Sequence, residues 1–278
     1  VGASRRFGRV VLNDGSPAVA DGTPETGAVV VAAMLRAVAG HTRADGRVDD
    51  RALRASPAYA EARTQAARLR AMDLRALDER QVRLAFWINV YNALVLHGIV
   101  ALGLRRSVWE AWNFFGRVSY RIGGVVLSAD EIEHGILRGN RRRVFPPWAP
   151  FRAGDPRRAL ACEPVDPRLH CAINCGASAC PAVRVYRPAA LDEQLDLAAR
   201  SFVNQDVVLD RGGRIACSKI FRWYRSDFER AGGIRAFIER HVEDGPVKSA
   251  LAADRSPCQS FLPYSWALAH PPIDRSPC

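Results

Sequence analysis

The sequence predicts an α+β fold in a single domain, with helices packed on a small, mostly antiparallel sheet, and three features lead there. One long segment, residues 78–100, is apolar nearly all round, as an interior helix is. Two stretches, residues 117–127 and 207–217, alternate in polarity around Gly-Gly pairs and predict hairpins. No linker cleanly divides the 278 residues, and a chain of that length buries a sizeable core without disulfide or metal staples.

Taken in order, residues 1–27 are rich in Gly, Ala, Pro and charge and predict a loose lead-in, followed by an apolar helix near 27–39. The boundaries expected are 1–49 for the lead-in and its helix, 50–268 for the α+β domain and 269–278 for a tail. Ser56-Pro57 is a helix start, a cap followed by Pro at the first helical position, with Tyr59, Ala66, Leu69 and Met72 near one face. The core helix comes next, then the hairpin of Val118, Tyr120 and Ile122 turning at Gly123-Gly124. Ser128-Ala-Asp-Glu131 forms a capping box that opens a helix through Arg138. Residues 144–168 carry six prolines and predict a surface excursion. Leu169, Cys171 and Ile173 alternate with His170, Ala172 and Asn174, which predicts a short strand ending at Cys175-Gly176. A helix over 191–204 and a last helix over 234–242 flank the second hairpin. The repeated Asp-Arg-Ser-Pro-Cys at 254–258 and 274–278 has too few copies to define an architecture.

Composition narrows the function classes. The net charge of +11 suits phosphate or nucleic-acid partners only if it is concentrated, and it is dispersed. All but two of the 40 basic residues are arginines, an excess that genome bias explains as well as binding does. The densest cluster, Arg138 with Arg141, Arg142 and Arg143, follows a helix, where cations gather for structural reasons. Without zinc-finger or helix-turn-helix patterns, a nucleic-acid partner is disfavoured. No segment reaches the ~20 apolar residues a membrane span requires, so none is expected. Seven cysteines in a chain of this size fit a reduced compartment, and a cytoplasmic location is the expectation. The chain begins at Val1, which leaves a removed export segment open.

Five ordered stretches then carry a family resemblance: residues 85–94 (AFWINVYNAL); residues 127–138; Asp166 to His170 with Asn174-Cys-Gly176 and Ser178 to Pro181; Ser218 to Tyr224 with Asp227-Phe228; and Phe261 to Trp266. Together, over roughly residues 50–268, they resemble the domain of unknown function 547 family. Its name records no general activity. Plant relatives join this domain to a coiled coil, an adaptor-like usage, but this chain has no sustained heptads. Two departures stand out: Ala179 precedes Cys180 where the family usually has Ser, leaving Ser178 one position earlier, and Ser265 replaces a common acidic residue, so a role resting on that acid is in doubt.

Within these motifs the chemistry centres on the loop from Cys175 to Cys180. Its small residues, Gly176 to Ala179, leave atoms and backbone N–H groups accessible, as acyl or thiol transfer requires. Cys175 is the candidate nucleophile and Cys180 a resolving thiol or second choice. A thiolate needs a base. His170 is the obvious one, but five residues of strand at about 3.3 Å each put it roughly 16 Å from Cys175. Unless the chain turns sharply, His134 or His97 takes its place, with His170 left to orient the amides of the core helix. Asn89, Asn92 and His97 share a polar stripe on that helix, Asn92 roughly 60° to one side of Asn89 and His97 roughly 80° to the other. The two amides either bond irregular backbone or hold a substrate carbonyl. Glu131, His134 and Arg138 form a second stripe that is either a solvated face or a titratable pair. Asn174 and Ser178 complete the candidate binding residues. Zinc is disfavoured because Cys171, Cys175 and Cys180 contain no Cys-x2-Cys spacing, and Cys171 is expected to be inert packing. Trp223, Tyr224, Asp227, Phe228, Tyr264 and Trp266 are expected to be packing groups.

The resulting expectation is a thiol-dependent hydrolase or transferase acting on an amide, a peptide or a small thiol compound such as glutathione, with no cofactor or metal. A distant analogy with papain-type proteins rests on this chemistry and not on spacing. The alternative is a non-catalytic binding or scaffold module.

Overall fold

A computed structural model describes residues 8–15, 22–43, 48–143, 147–253 and 258–268. It has the α+β architecture, mostly helical with two three-stranded sheets. At its centre lies Arg80–Leu102, buried almost continuously from Leu84 to Gly98 and ended by Gly103 in the left-handed conformation. Side chains such as Phe86, Trp87, Ile88 and Tyr91 are removed from water there, each contributing on the order of 1.5–3 kcal/mol. This helix is long and apolar enough to cross a membrane, but 89% of its most apolar window is buried within the protein, so a span is not indicated. Thr26–Ala39 packs beside it and Pro57–Ala67 packs on Thr26–Ala39, the latter helix capped as its sequence implies, with Ser56 Oγ accepting from the Tyr59 N–H at 3.1 Å.

Each sheet is mixed, with the longer pairing antiparallel and a two-residue parallel strand added to it. In the first, Val118–Ile122 pairs antiparallel with Val125–Ser128 and parallel with Val10–Val11. The lead-in is therefore partly structured: Asn13 is buried, accepting from the Arg121 N–H at 2.8 Å and donating to the Ala66 and Arg121 carbonyls. A two-residue strand is too short for periodicity to reveal. In the second sheet Val207–Leu209 and Ile215–Cys217 form the expected hairpin, and Ser260–Phe261 joins Ile215–Cys217 in parallel. A disulfide from Cys217 to Cys258 fastens this sheet, which corrects the expectation that these cysteines are reduced thiols without a role. Cys278 and most of the repeat lie outside the described residues. Leu191–Asp206 and Ile234–His241 form as expected, and Pro246–Ala253 adds a helix that was not foreseen.

Two local differences shape the site. Pro167–Cys171 is a 3-10 turn and not a strand, because Asp166 caps it by accepting from the Arg168 N–H at 3.0 Å and Pro167 starts the turn. The apparent alternation arose from a single turn with buried groups on both sides. Glu131–Leu137 is π-helical rather than α-helical, with the Arg138 N–H donating to the Glu133 carbonyl and the Asn140 N–H to that of Gly135. Such turns recur at functional sites because they redirect side chains.

Candidate functional site

The turn at Pro167–Cys171 removes the extended strand on which the roughly 16 Å separation rested. Once the chain coils there, His170, Cys175 and Cys180 line one cavity of about 260 Å³. The loop between the thiols is held by amides. Asn92, from the core helix, donates to the Ala172 carbonyl and accepts from the Asn174 N–H, both at 2.9 Å. Asn174 in turn accepts from the Gly176 N–H at 2.6 Å and donates to the Pro181 carbonyl at 2.5 Å, closing the loop on itself. Gly176 takes a φ of 86°, and a Cβ there would meet Ile99 Cδ1 at 2.6 Å. Ser178 bonds Ser265 Oγ at 2.8 Å on the outer side of the loop, where the common acidic residue is missing. Asn89 lies away from the cavity lining, exchanging both its hydrogen bonds with the backbone of Tyr186. The asparagines thus act on backbone, and only Asn92 and Asn174 act on the thiol loop.

This clamping brings Cys175 Sγ and Cys180 Sγ to 2.8 Å. Cys180 Sγ also receives the Cys175 N–H at 3.3 Å and lies 3.1 Å from Tyr264 Oη, which is 3.3 Å from Cys175 Sγ. Burial opposes a thiolate at Cys180, but the donors from Cys175, Tyr264 and the loop backbone outweigh it and hold its pKa below the usual thiol value. Cys175 is pushed well above that value by the Cys180 sulfur against it and by burial. The two shifts run in opposite directions, so Cys180 ionises more readily than Cys175.

Beside the thiols, His170 stacks on Tyr224 at 4.0 Å between ring centroids, and its Nε2 lies 3.0 Å from Asp227 Oδ2. Asp227 also accepts from Arg138 Nε and from Arg141 Nη1 at 2.8 Å. Although burial opposes it, the His170 and Arg138 bonds hold the Asp227 carboxyl well below the usual carboxylate range. An ionised carboxylate only accepts, so the His170 proton sits on Nε2 and leaves a lone pair on Nδ1. That Nδ1 is buried and has no hydrogen-bond partner among the described residues. Burial, assisted by Arg138 and opposed by Asp227, lowers the His170 pKa, so the ring is neutral near pH 7.

His134 also lines the cavity, but both its nitrogens are engaged. Nδ1 accepts from Arg138 Nη1 at 2.8 Å, and Nε2 faces Asp130 Oδ1 at 3.4 Å. Burial drives its pKa down to about 4, against the pull of Glu133. His97 is remote, wedged between Tyr59 and Tyr120. Of the stripe of Glu131, His134 and Arg138, the last two stay in contact and Glu131 is diverted. Glu131 keeps its reciprocal capping bonds with Ser128 at 2.9 and 3.2 Å and pairs with Arg9 and Arg157, away from the cavity. Asp130 and Glu133 reach it instead. Within the arginine cluster, Arg138 and Arg141 both bond Asp227 and Arg143 pairs with Asp130.

The groups that sequence reasoning assigned to packing complete the walls. Trp223, Tyr224, Tyr264 and Trp266 line the cavity with Trp109, and Asp227 orients His170. Polar groups within these aromatic motifs, Asp227 above all, were the available signal. In the comparisons, residues 74–203 match the model of a family described as protein of unknown function, DUF547. No curated protein and no solved structure matches the chain, so the papain-type analogy gains no structural counterpart.

Proposed function

We propose that this chain, whose residues 74–203 match the DUF547 family model, is a thiol-dependent hydrolase or transferase acting on a small amide, peptide or thiol compound. One observation carries this reading: a thiol pair with converging donors shares its cavity with a histidine whose free nitrogen is a lone pair and whose other nitrogen is tied to a carboxylate. A nucleophile, a neutral base and a group orienting that base are the parts that covalent catalysis needs.

In the proposed reaction the Cys180 sulfur bonds to the acyl carbon and the carbon–heteroatom bond breaks. The proton held by Cys175 at rest passes to His170 Nδ1 and from there to the leaving group, and a proton from the incoming nucleophile restores the Cys175 thiol at the end of the cycle. Water, or a second thiol or amine, then takes the acyl group from sulfur. Tyr264 Oη and the Cys175 N–H, released from Cys180 as its charge moves to the substrate, are placed to steady the developing oxyanion. Asn92 and Asn174 act as positioning residues through the loop, while Cys175 holds the shared proton.

Alkylation of the folded protein with iodoacetamide across pH, with the modified residues located by mass spectrometry, tests the reading. Cys180 should react faster than a free thiol at pH 6–7, and Cys180→Ser should abolish the fast phase. If both thiols stay inert until the protein unfolds, the nucleophile is lost and the cavity serves binding alone.

A further inference from the structure

The cavity's charge is at odds with the protein's. In a chain of net charge +11, its lining contains two acidic side chains, Asp130 and Glu133, and no Arg or Lys among the described residues. The Asp130 charge is answered by Arg143 at 2.6 Å. Glu133 has no guanidinium in contact: Arg138 is directed to Asp227, and the Glu133 oxygens accept only the hydroxyls of Tyr91 at 2.9 Å and Tyr224 at 2.6 Å. His134 Nδ1 lies 3.6 Å from Glu133 Oε1, but that nitrogen presents a lone pair, already accepting from Arg138. Burial favours a protonated Glu133, yet His134, Tyr224 and Arg138 outweigh it and keep the carboxyl below its usual pKa.

The polar floor thus offers acceptors. Its phenol hydrogens are committed, those of Tyr91 and Tyr224 to Glu133 and that of Tyr264 to the sulfurs, while His170 Nδ1 waits for a donor. The rings of Trp109, Trp223, Tyr264 and Trp266 line the same cavity. Trp109 and Trp266 are 5.0 Å apart, Trp223 and Tyr264 4.7 Å, and Tyr264 and Trp266 4.8 Å, all tilted or edge-on. Aromatic faces attract cations, each by about 0.5–2 kcal/mol, and more as water is excluded.

We propose that the cavity selects a ligand bearing an ammonium group, held between the Glu133 carboxylate and the aromatic wall. This deepens the thiol reading by naming its substrate class, an amide, ester or thiol compound carrying a positive nitrogen, and rests on that reading for the chemistry that follows binding.

Binding is measured without the thiols reacting, so the two ideas fail separately. The probes are choline and its uncharged carbon isostere 3,3-dimethylbutan-1-ol, titrated calorimetrically with tryptophan fluorescence followed in parallel. Choline should bind at least ~10-fold more tightly, a difference of about 1.4 kcal/mol. Glu133→Gln should bring the ratio close to one. Because Glu133 is buried and its variant is liable to unfold, Trp109→Ala at a position 59% exposed provides a second test and should weaken choline more than the isostere. Equal affinity for the two probes, tighter binding of the alcohol, or no saturable binding of choline overturns the proposal. Slow alkylation of Cys180 alongside intact choline selectivity overturns only the thiol reading.

Discussion

Asp227→Asn removes one charge from a fully enclosed polar cluster while keeping the side chain's shape. The Asp227 side chain is fully buried, Arg138 is 2% exposed and His170 1% exposed, so the three groups have no water to replace a lost partner. An asparagine amide accepts through one oxygen and turns its NH2 toward a guanidinium that also only donates. Breaking a buried ion pair from one side costs about 3–5 kcal/mol, since the remaining charge is left desolvated. With a urea m-value of about 3 kcal/mol/M, the unfolding midpoint should fall by roughly 1 M or more at pH 7. The pH dependence has a definite sign. Asp227 has a depressed folded pKa, so its stabilisation is present above the unfolded value near ~3.9 and is lost as pH falls toward the folded one. The gap between native protein and variant should therefore persist from pH 8 to about pH 5 and narrow only in more acid solution. A loss under about 1 kcal/mol at pH 7, or a gap that closes already at neutral pH, refutes the picture of a charge-dependent joint. Cys180 alkylation should also slow, because the tautomer of His170 is no longer imposed by a carboxylate.

Further expectations separate loop support from general stability and test the remaining buried acid. Asn92→Ala leaves the Ala172 carbonyl and the Asn174 N–H unpaired, costing roughly 2–5 kcal/mol, and should also slow Cys180 alkylation. Asn89→Ala should cost a similar amount in urea unfolding yet leave the alkylation rate of the folded protein unchanged, because its partner Tyr186 lies outside the thiol loop. Burial raises the Asp206 pKa to about 6, so this group's contribution is favourable in acid and lost as pH rises through 6. Asp206→Asn should accordingly raise the unfolding midpoint at pH 8 and leave it unchanged at pH 4; stabilisation of equal size at both pH values would contradict the assignment.

Local chemistry was enough for much of this protein. The apolar run at Arg80–Leu102 has no amphipathic face to offer water, so its central position follows from composition. Ser56-Pro57, the reciprocal bonds of Ser128 and Glu131, and the Gly123-Gly124 turn use interactions between near neighbours, which a linear reading captures. The cysteine loop was likewise visible as a cluster of small residues between thiols. Which groups meet around it was decided by tertiary structure. Asp166 and Pro167 turn a segment whose polarity alternates like a strand, and that turn alone carries His170 to the cavity. The π-helical widening at Glu131–Leu137 exchanges Glu131 for Glu133, a choice invisible to an α-helical wheel. Asp227, Tyr264 and Cys258 find His170, Cys180 and Cys217 across separations of 57, 84 and 41 residues. Such pairings arise because a buried donor or charge must find an acceptor wherever the packed chain supplies one, and packing is a property of the whole fold rather than of any window along it.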